Sequence, residues 1–252
     1  MVDPSREIIF EGCYNVRDLG GYRTADGRAT RWRRLFRSDH TALLSGADCR
    51  RMERDLGIRT LVDLRTSAMH QEFPPKLAVR CVNLPLFGDE AVEVMRAAVA
   101  DASARTFMRA IRDRATHAVI AGAFALFAQE SSYPLAFHCI TGKDRTGLIA
   151  ALVLGVLGVA DDDIVRDYAM TETNMPRYIE RLRERGRLPA DGSFTEELPR
   201  SFFETPPAAM RSLLEDIRAR HGSIRGYVAS CGVDAATLAA LEQALLSDVR
   251  DT

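Results

Sequence analysis

The segment Phe137-His138-Cys139-Ile140-Thr141-Gly142-Lys143-Asp144-Arg145-Thr146-Gly147 holds the residues whose types and spacing could do chemistry. An apolar stretch ends at His138 and another begins near Thr146, with Gly142 at the middle of the short link 139–145. A tight loop between a strand and a helix turns successive backbone N–H groups toward one point, and the helix macrodipole adds positive potential there. Such a cradle fits a tetrahedral phosphate, so Ile140, Thr141, Gly142, Lys143, Asp144 and Arg145 are candidate phosphate-binding positions. The same field favours a thiolate, so Cys139 is expected to have a lowered pKa and to sit for in-line attack at phosphorus. The planar fork of Arg145 can grip two phosphate oxygens at once.

Cys-x5-Arg alone arises easily by chance in a chain this rich in Arg. Gly142, Thr146 and Gly147, with a strand before and a helix after, make the match specific. Asp144 reads either as a group that protonates a leaving oxygen or orients water, or as a loop carboxylate tied to a nearby Arg or N–H. Asp89, in Leu-Phe-Gly-Asp-Glu, is the rival general acid, against a plain carboxylate in the first turn of a helix. Lys143 is either a point charge for a second phosphate or a solvated side chain. His138 is expected to support the loop rather than move protons. Thr146 could donate to Cys139, cap the helix, or do both. Asn15, Arg17, Asp18, Arg37, Asp63 and Arg65 stand at strand ends and read as an Arg–Asp network behind the loop, without catalytic roles.

The elements that must position these groups are legible from pattern. Strands are expected at 7–10, 35–37, 58–64, 79–86 and 134–139. Helices are expected at 45–56, with Ser45 as N-cap and Gly57 as stop, at 90–100, and at 104–130 with a break near Ala115. A helix apolar on all sides is expected over 146–158. Pro176 should divide a helix at 161–175 from one at 176–185, and 206–220 and 235–248 are amphipathic. Residues 186–205 read as a loop or flap, and 161–205 as a candidate lid over the loop. Strands alternating with helices, then helices alone, indicate one α/β domain over 1–252 with a helical C-terminal section.

The 252 residues suffice for one large core. Composition is ordinary for a globular protein, with 46% hydrophobic and 27% charged residues. A net charge of −1 gives no bulk attraction to nucleic acid or an anionic membrane. Only Lys76 and Lys143 among the basic residues are Lys. The five cysteines, at 13, 49, 81, 139 and 231, form no CxxC pair, which argues against a zinc knuckle or dithiol site and fits a reducing compartment. The longest apolar run, 147–160, is too short to span a bilayer, so no integral membrane association is expected. The first residues lack a signal-peptide pattern.

His-Cys-Ile-Thr-Gly-Lys-Asp-Arg-Thr-Gly at 138–147 resembles the signature loop of the atypical bacterial tyrosine and dual-specificity phosphatases that also act on phosphoinositides. Asn-Val-Arg-Asp-Leu-Gly-Gly-Tyr at 15–22, Phe-Arg-Ser-Asp at 36–39 and the segment 221–233 are similar to that family's other motifs, so the resemblance spans nearly the whole chain. It implies a cysteine-phosphatase-like fold, a central, mainly parallel sheet flanked by helices, and a thiol-phosphate intermediate. It also implies a phosphotyrosyl protein or phosphoinositide as substrate, inorganic phosphate as product and inhibitor, and no metal or organic cofactor. It favours a role in activity for Asp144. The Trp-Pro-Asp acid loop of eukaryotic tyrosine phosphatases is absent, because the one Trp is Trp32, so the acid must come from elsewhere. A rhodanese-type sulfurtransferase fits this loop poorly, and an arsenate reductase lacks its nearby partner thiols. A phospho-ligand-binding pseudophosphatase is opposed by the intact Cys139 and Arg145. Location is expected to be cytoplasmic, or outside the cell by a route without a signal peptide.

Overall fold

Side-chain alternation along the strands assigns apolar residues to two cores, one on each face of a sheet. The computed structural model describes residues 6–87, 107, 113–195 and 198–248. In chain order the elements are β1 (Arg17–Asp18), β2 (Arg28–Thr30), β3 (Leu35–Ser38), α1 (Gly46–Arg50), β4 (Thr60–Asp63), α2 (Ser67–Glu72), β5 (Arg80–Asn83) and α3 (Arg114–Phe127). They continue as β6 (Leu135–His138), α4 (Asp144–Val156), α5 (Asp161–Ala169), α6 (Thr171–Glu184), α7 (Pro207–His221), α8 (Ile224–Ser230), α9 (Ala235–Leu245) and β7 (Leu246–Asp248).

Five strands form one sheet in the order β1-β3-β6-β4-β5, and all pairs but β1–β3 are parallel. Leu135 and Phe137 of β6 and Val62 of β4 face the larger core, built with α3, α4, α7, α8 and α9. Ala136 and Leu61, each one residue out of phase, face the smaller core with Phe36, Met52 and Ile58. The sheet is thus central, mainly parallel and covered on both sides, as the family resemblance implies. β6 lies between β3 and β4, so the chain leaving its C-terminal end at His138 emerges amid three parallel strand ends.

α4 is buried from Arg145 to Leu154, which is why it is apolar on every side. α8 crosses it closely, and a Cβ on Gly155 would lie 2.2 Å from Ile224 Cδ1. Ser45 caps α1 in a reciprocal capping box with Asp48, and a π turn carries the helix on to Asp55.

Several expected elements differ. Pro176 lies inside α6, and the chain breaks at Met170 instead. Asp167 and Thr171, on either side of that break, are both tied to Arg17, and the residues flanking Pro176 are anchored too, Asn174 to Glu7 and Arg177 to Phe10 O. Residues 246–248 form a strand rather than the end of a helix, because Leu246 turns extended to pair with Thr30. Segment 7–10 makes only a single bridge, Glu7 with Arg17. α2 and α8 are additional helices, capped by Thr66 and Ser223. Asp113 caps α3, close to the expected break near Ala115. The expected helix at 90–100 lies outside the described residues, as does 104–112 apart from Phe107.

Candidate active site

Five consecutive carbonyls around Cys139 are each held by a partner outside the loop. His138 Nδ1–H donates to Cys139 O at 2.9 Å. His40 N donates to Ile140 O at 3.0 Å, and Asn15 Nδ2 to Thr141 O at 2.9 Å. Arg37 Nη2 donates to Gly142 O at 2.7 Å. Lys143 O accepts the first bond of α4, from Gly147 N. In a trans peptide the C=O and the following N–H point in opposite directions. Holding the carbonyls outward therefore turns the amides of 140–144 the other way. Among the described residues, the amides of Ile140, Thr141, Gly142, Asp144 and Arg145 have no protein acceptor. They are the donors an oxyanion needs, at the N-terminus of a buried helix.

Gly142 allows the turn. Its φ is +67°, and a Cβ there would lie 2.5 Å from Ser38 O and 2.8 Å from Asn15 Nδ2.

Two of these holders, Arg37 and Asn15, are themselves fixed from Asp167 on α5, Asn15 through Arg17. The Asp167 carboxylate pairs with Arg17 Nε at 2.9 Å and with Arg37 Nη1, and it accepts from Tyr22 OH at 3.1 Å. Arg17 Nη1 in turn donates to Asn15 Oδ1 at 2.5 Å. Burial pushes the Asp167 carboxyl up, but the Arg17 and Arg37 charges outweigh it and hold the group well below the usual range. Burial, with Arg17 alongside, pulls the Arg37 guanidinium down to about 10, so it stays charged at neutral pH. The network behind the loop thus gathers Asn15, Arg17 and Arg37. Asp18 is not in it: its carboxylate receives the amides of Gly20 and Arg33.

A second carboxylate braces the other side. Asp63, at the end of β4, receives Arg65 through both Nε and Nη2, at 2.7–3.1 Å, and meets His70 Nδ1 at 2.8 Å. Burial raises the Asp63 carboxyl, and Arg65 with His138 more than reverses this. Burial pulls His138 down to about 4, so the ring is neutral, consistent with Nδ1 carrying the proton it gives to Cys139 O. His40 is pulled down to about 3 by burial, reinforced by His138 and Arg65.

Cys139 is 2% exposed and packs with the larger core. Arg145 is 8% exposed, and its Nη1 reaches Leu64 O at 3.4 Å, just past the end of β4. Asp144 opens α4; Tyr168 OH donates to its Oδ1 at 3.1 Å, and Lys143 Nζ lies 3.4 Å from its Oδ2. Lys143 is not a solvated side chain: it is 1% exposed, donates to Glu204 O at 3.0 Å and lies over the Phe202 ring. Thr146 is not the N-cap, because α4 begins two residues earlier with Lys143 in that position. Its buried hydroxyl has no hydrogen-bond partner among the described residues, Cys139 included. Asp89 lies outside the described residues.

Asp167, Tyr168, Thr171 and His40 are site residues that sequence reasoning missed. A signal existed for the first. Two arginines buried at strand ends require a buried carboxylate, but nothing local singled out Asp167 among the acids of 161–167.

Amides turned away from tethered carbonyls at the start of a buried helix, with Arg145 at the end of the loop, can bind an oxyanion. Residues 8–247 match the model of a tyrosine phosphatase family. A Cupriavidus necator protein described as a candidate tyrosine-protein phosphatase is 31% identical, over 90% of this chain and 84% of that one. The triple specificity protein phosphatase PtpB of Mycobacterium tuberculosis is 26% identical, over 93% of this chain and 97% of its own length. A tyrosine-protein phosphatase of Nostoc commune is 25% identical over 71% of this chain and 63% of that one. The resemblance read from 138–147 therefore extends along the chain, and the protein belongs to the tyrosine phosphatase family.

Proposed function

We propose that this phosphatase hydrolyses phosphate monoesters in two steps on Cys139, with the whole chain acting as one catalytic domain. The sulfur attacks phosphorus while the amides of 140–145 and the Arg145 guanidinium carry the equatorial oxygens, and this electrostatic stabilisation is the largest contribution. Asp144 protonates the leaving oxygen, and a carboxylate then assists water in cleaving the thiophosphate. Asp144 is favoured over Asp89 because it opens the helix that the loop feeds, with its carboxylate oriented by Tyr168 and Lys143. His138 supports the loop through Cys139 O, and the buried Thr146 hydroxyl is available to the departing thiolate. The single observation that carries the reading is the outward tethering of the carbonyls on both sides of Gly142.

Cys139→Ser tests it. Turnover of p-nitrophenyl phosphate should fall by more than about a thousandfold while phosphate binding stays measurable. Residual activity within about tenfold of wild type would exclude the covalent step. Binding without turnover in the wild-type protein would instead mark a pseudophosphatase.

The substrate we propose is a phosphotyrosyl protein, with phosphoseryl or phosphothreonyl protein and phosphoinositide as further substrates. The triple specificity in the name of the Mycobacterium tuberculosis relative supports the wider range. Rates measured side by side on phosphotyrosyl peptide, phosphoseryl peptide and a phosphoinositide decide among them. A second phosphate would meet Lys143 next to Glu204 O, which accepts from its ammonium. We read the candidate lid within 161–205 as the part that packs through Tyr178, Leu188 and Phe203 against Tyr14. Proteolysis of 186–205 that is the same with and without orthovanadate would count against it.

A further inference from the structure

We propose that Tyr168 is a positioning residue that fixes the Asp144 carboxylate in one rotation, with Oδ1 on the phenol and Oδ2 left to deliver the proton. The inference rests on the reading of Asp144 as general acid. Tyr168 OH donates to Asp144 Oδ1 at 3.1 Å. The Tyr168 ring itself has no room to move. It is fully buried, Phe107 meets it edge-on with centroids 5.5 Å apart, and its backbone neighbour Asp167 is clamped by Arg17 and Arg37. On the third side it lies against Gly147, where a Cβ would come within 2.9 Å of Tyr168 Cδ2. The second glycine of the loop motif thus makes space for the tyrosine, which reaches past it to the acid one turn back along α4. A donor that cannot shift holds its acceptor, so Oδ1 is committed and Oδ2 faces away from the phenol, 3.4 Å from Lys143 Nζ.

In the first step the Cys139 sulfur pair forms the S–P bond and the P–O pair departs with the ester oxygen. That oxygen takes the proton from Asp144 Oδ2, and the carboxylate left behind faces the Tyr168 hydroxyl and the Lys143 ammonium. A carboxylate free to rotate would present the proton to the leaving oxygen only part of the time. The demand is greatest for esters with basic leaving groups, which cannot depart as anions.

The test is Tyr168→Phe, which keeps the ring and removes the hydroxyl, assayed on phenyl phosphate and 2,4-dinitrophenyl phosphate in wild-type and Asp144→Asn backgrounds. General-acid assistance amounts to about 10²–10⁴-fold, so loosening it should raise the ratio of kcat on the dinitrophenyl ester to kcat on the phenyl ester about tenfold. KM on phenyl phosphate should change little, and adding Tyr168→Phe to Asp144→Asn should raise the ratio no further. Gly147→Ala, whose methyl displaces the ring, should shift the ratio in the same direction. Equal losses on both esters, or an undiminished shift in the Asp144→Asn background, would reduce Tyr168 to a packing residue. A ratio raised by Asp144→Asn but not by Tyr168→Phe sinks the inference alone. A ratio untouched by Asp144→Asn sinks the acid assignment and the inference with it.

Discussion

Arg37 donates to the carbonyl of Gly142 at 2.7 Å from a side chain that is itself fully buried and paired with Asp167. A cation committed to a backbone oxygen in the interior is an expensive way to hold a loop, because desolvating it costs several kcal/mol, on the order of what its partners return. What the arrangement secures is direction. The Gly142 carbonyl would otherwise be free to turn into the cradle, where its negative end would oppose a phosphate oxygen. Asn15 and His40 do the same for Thr141 and Ile140. In the proposed cradle, these groups preorganise the amides from behind the loop.

Gly142→Ala should break this arrangement while leaving the protein folded. The new methyl collides with Ser38 O in the static backbone and sits at a φ of +67°, at a cost of about 1–3 kcal/mol of stability. The loop must shift to relieve the contact, and kcat/KM on p-nitrophenyl phosphate should fall about a hundredfold or more. Urea titration and steady-state kinetics on the same preparation check both numbers. Full activity with normal stability would mean that the loop does not need its left-handed residue.

Asp167→Ala should be more damaging to stability than any change in the loop itself. It leaves Arg17 and Arg37 buried without their counter-ion, which costs about 3–5 kcal/mol. The surviving folded fraction should also bind orthovanadate more weakly, since Arg37 and Asn15 lose the anchor that aims them. Denaturant midpoints measure the first effect and competitive inhibition constants the second. A variant destabilised as expected but with unchanged vanadate affinity would show that the loop holds its shape without this anchor.

The fold of the loop was readable in the sequence because it is local: Cys139, Gly142, Arg145 and Gly147 lie within a single strand–turn–helix, and their spacing is their geometry. The buried central strands were readable too, since β4 and β6 are short apolar runs between turn signals, whereas their parallel pairing followed only from the family resemblance. What escaped is non-local. Asp167 meets Arg17 across 150 positions, and no periodicity in 161–170 distinguishes it from Asp161 or Asp163, which face solvent-side arginines. Pro176 misled because a helix tolerates a proline when tertiary anchors fix its neighbours. β7 escaped because Leu246-Ser247-Asp248 carries no strand signal of its own, and only pairing with β2 draws it out of the helix.

Gly155→Ala tests packing well away from the loop. A methyl at this position would overlap Ile224 Cδ1, and overpacking of this kind costs about 1–3 kcal/mol. Ile224→Val removes the colliding carbon, so the double variant should recover part of the loss, a coupling that additive sites lack. Thermal melts of the two single variants and the double one give the cycle. Strict additivity would mean that α4 and α8 move apart rather than interlock.

Asp39 gives the stability a pH dependence of unusual sign for a carboxylate. It is buried, accepts from the amides of Tyr14 at 2.9 Å and Asn15 at 3.0 Å, and burial raises its pKa to about 6 despite those bonds. In the unfolded chain the group titrates near the ordinary value of about 3.9. Between these two values the folded protein holds a proton that the unfolded chain has lost, so stability falls as pH rises through this window. Above the folded pKa the loss is complete, and the shift corresponds to about 2–3 kcal/mol. Asp39→Asn keeps an acceptor for both amides and never ionises, and the other titrating groups cancel when it is compared with wild type. Relative to that variant, wild type should lose its full increment between pH 4 and pH 7, as measured by urea denaturation at each pH. A difference that stays flat across the interval would mean that Asp39 is ionised throughout and that its two amide donors fully offset its burial.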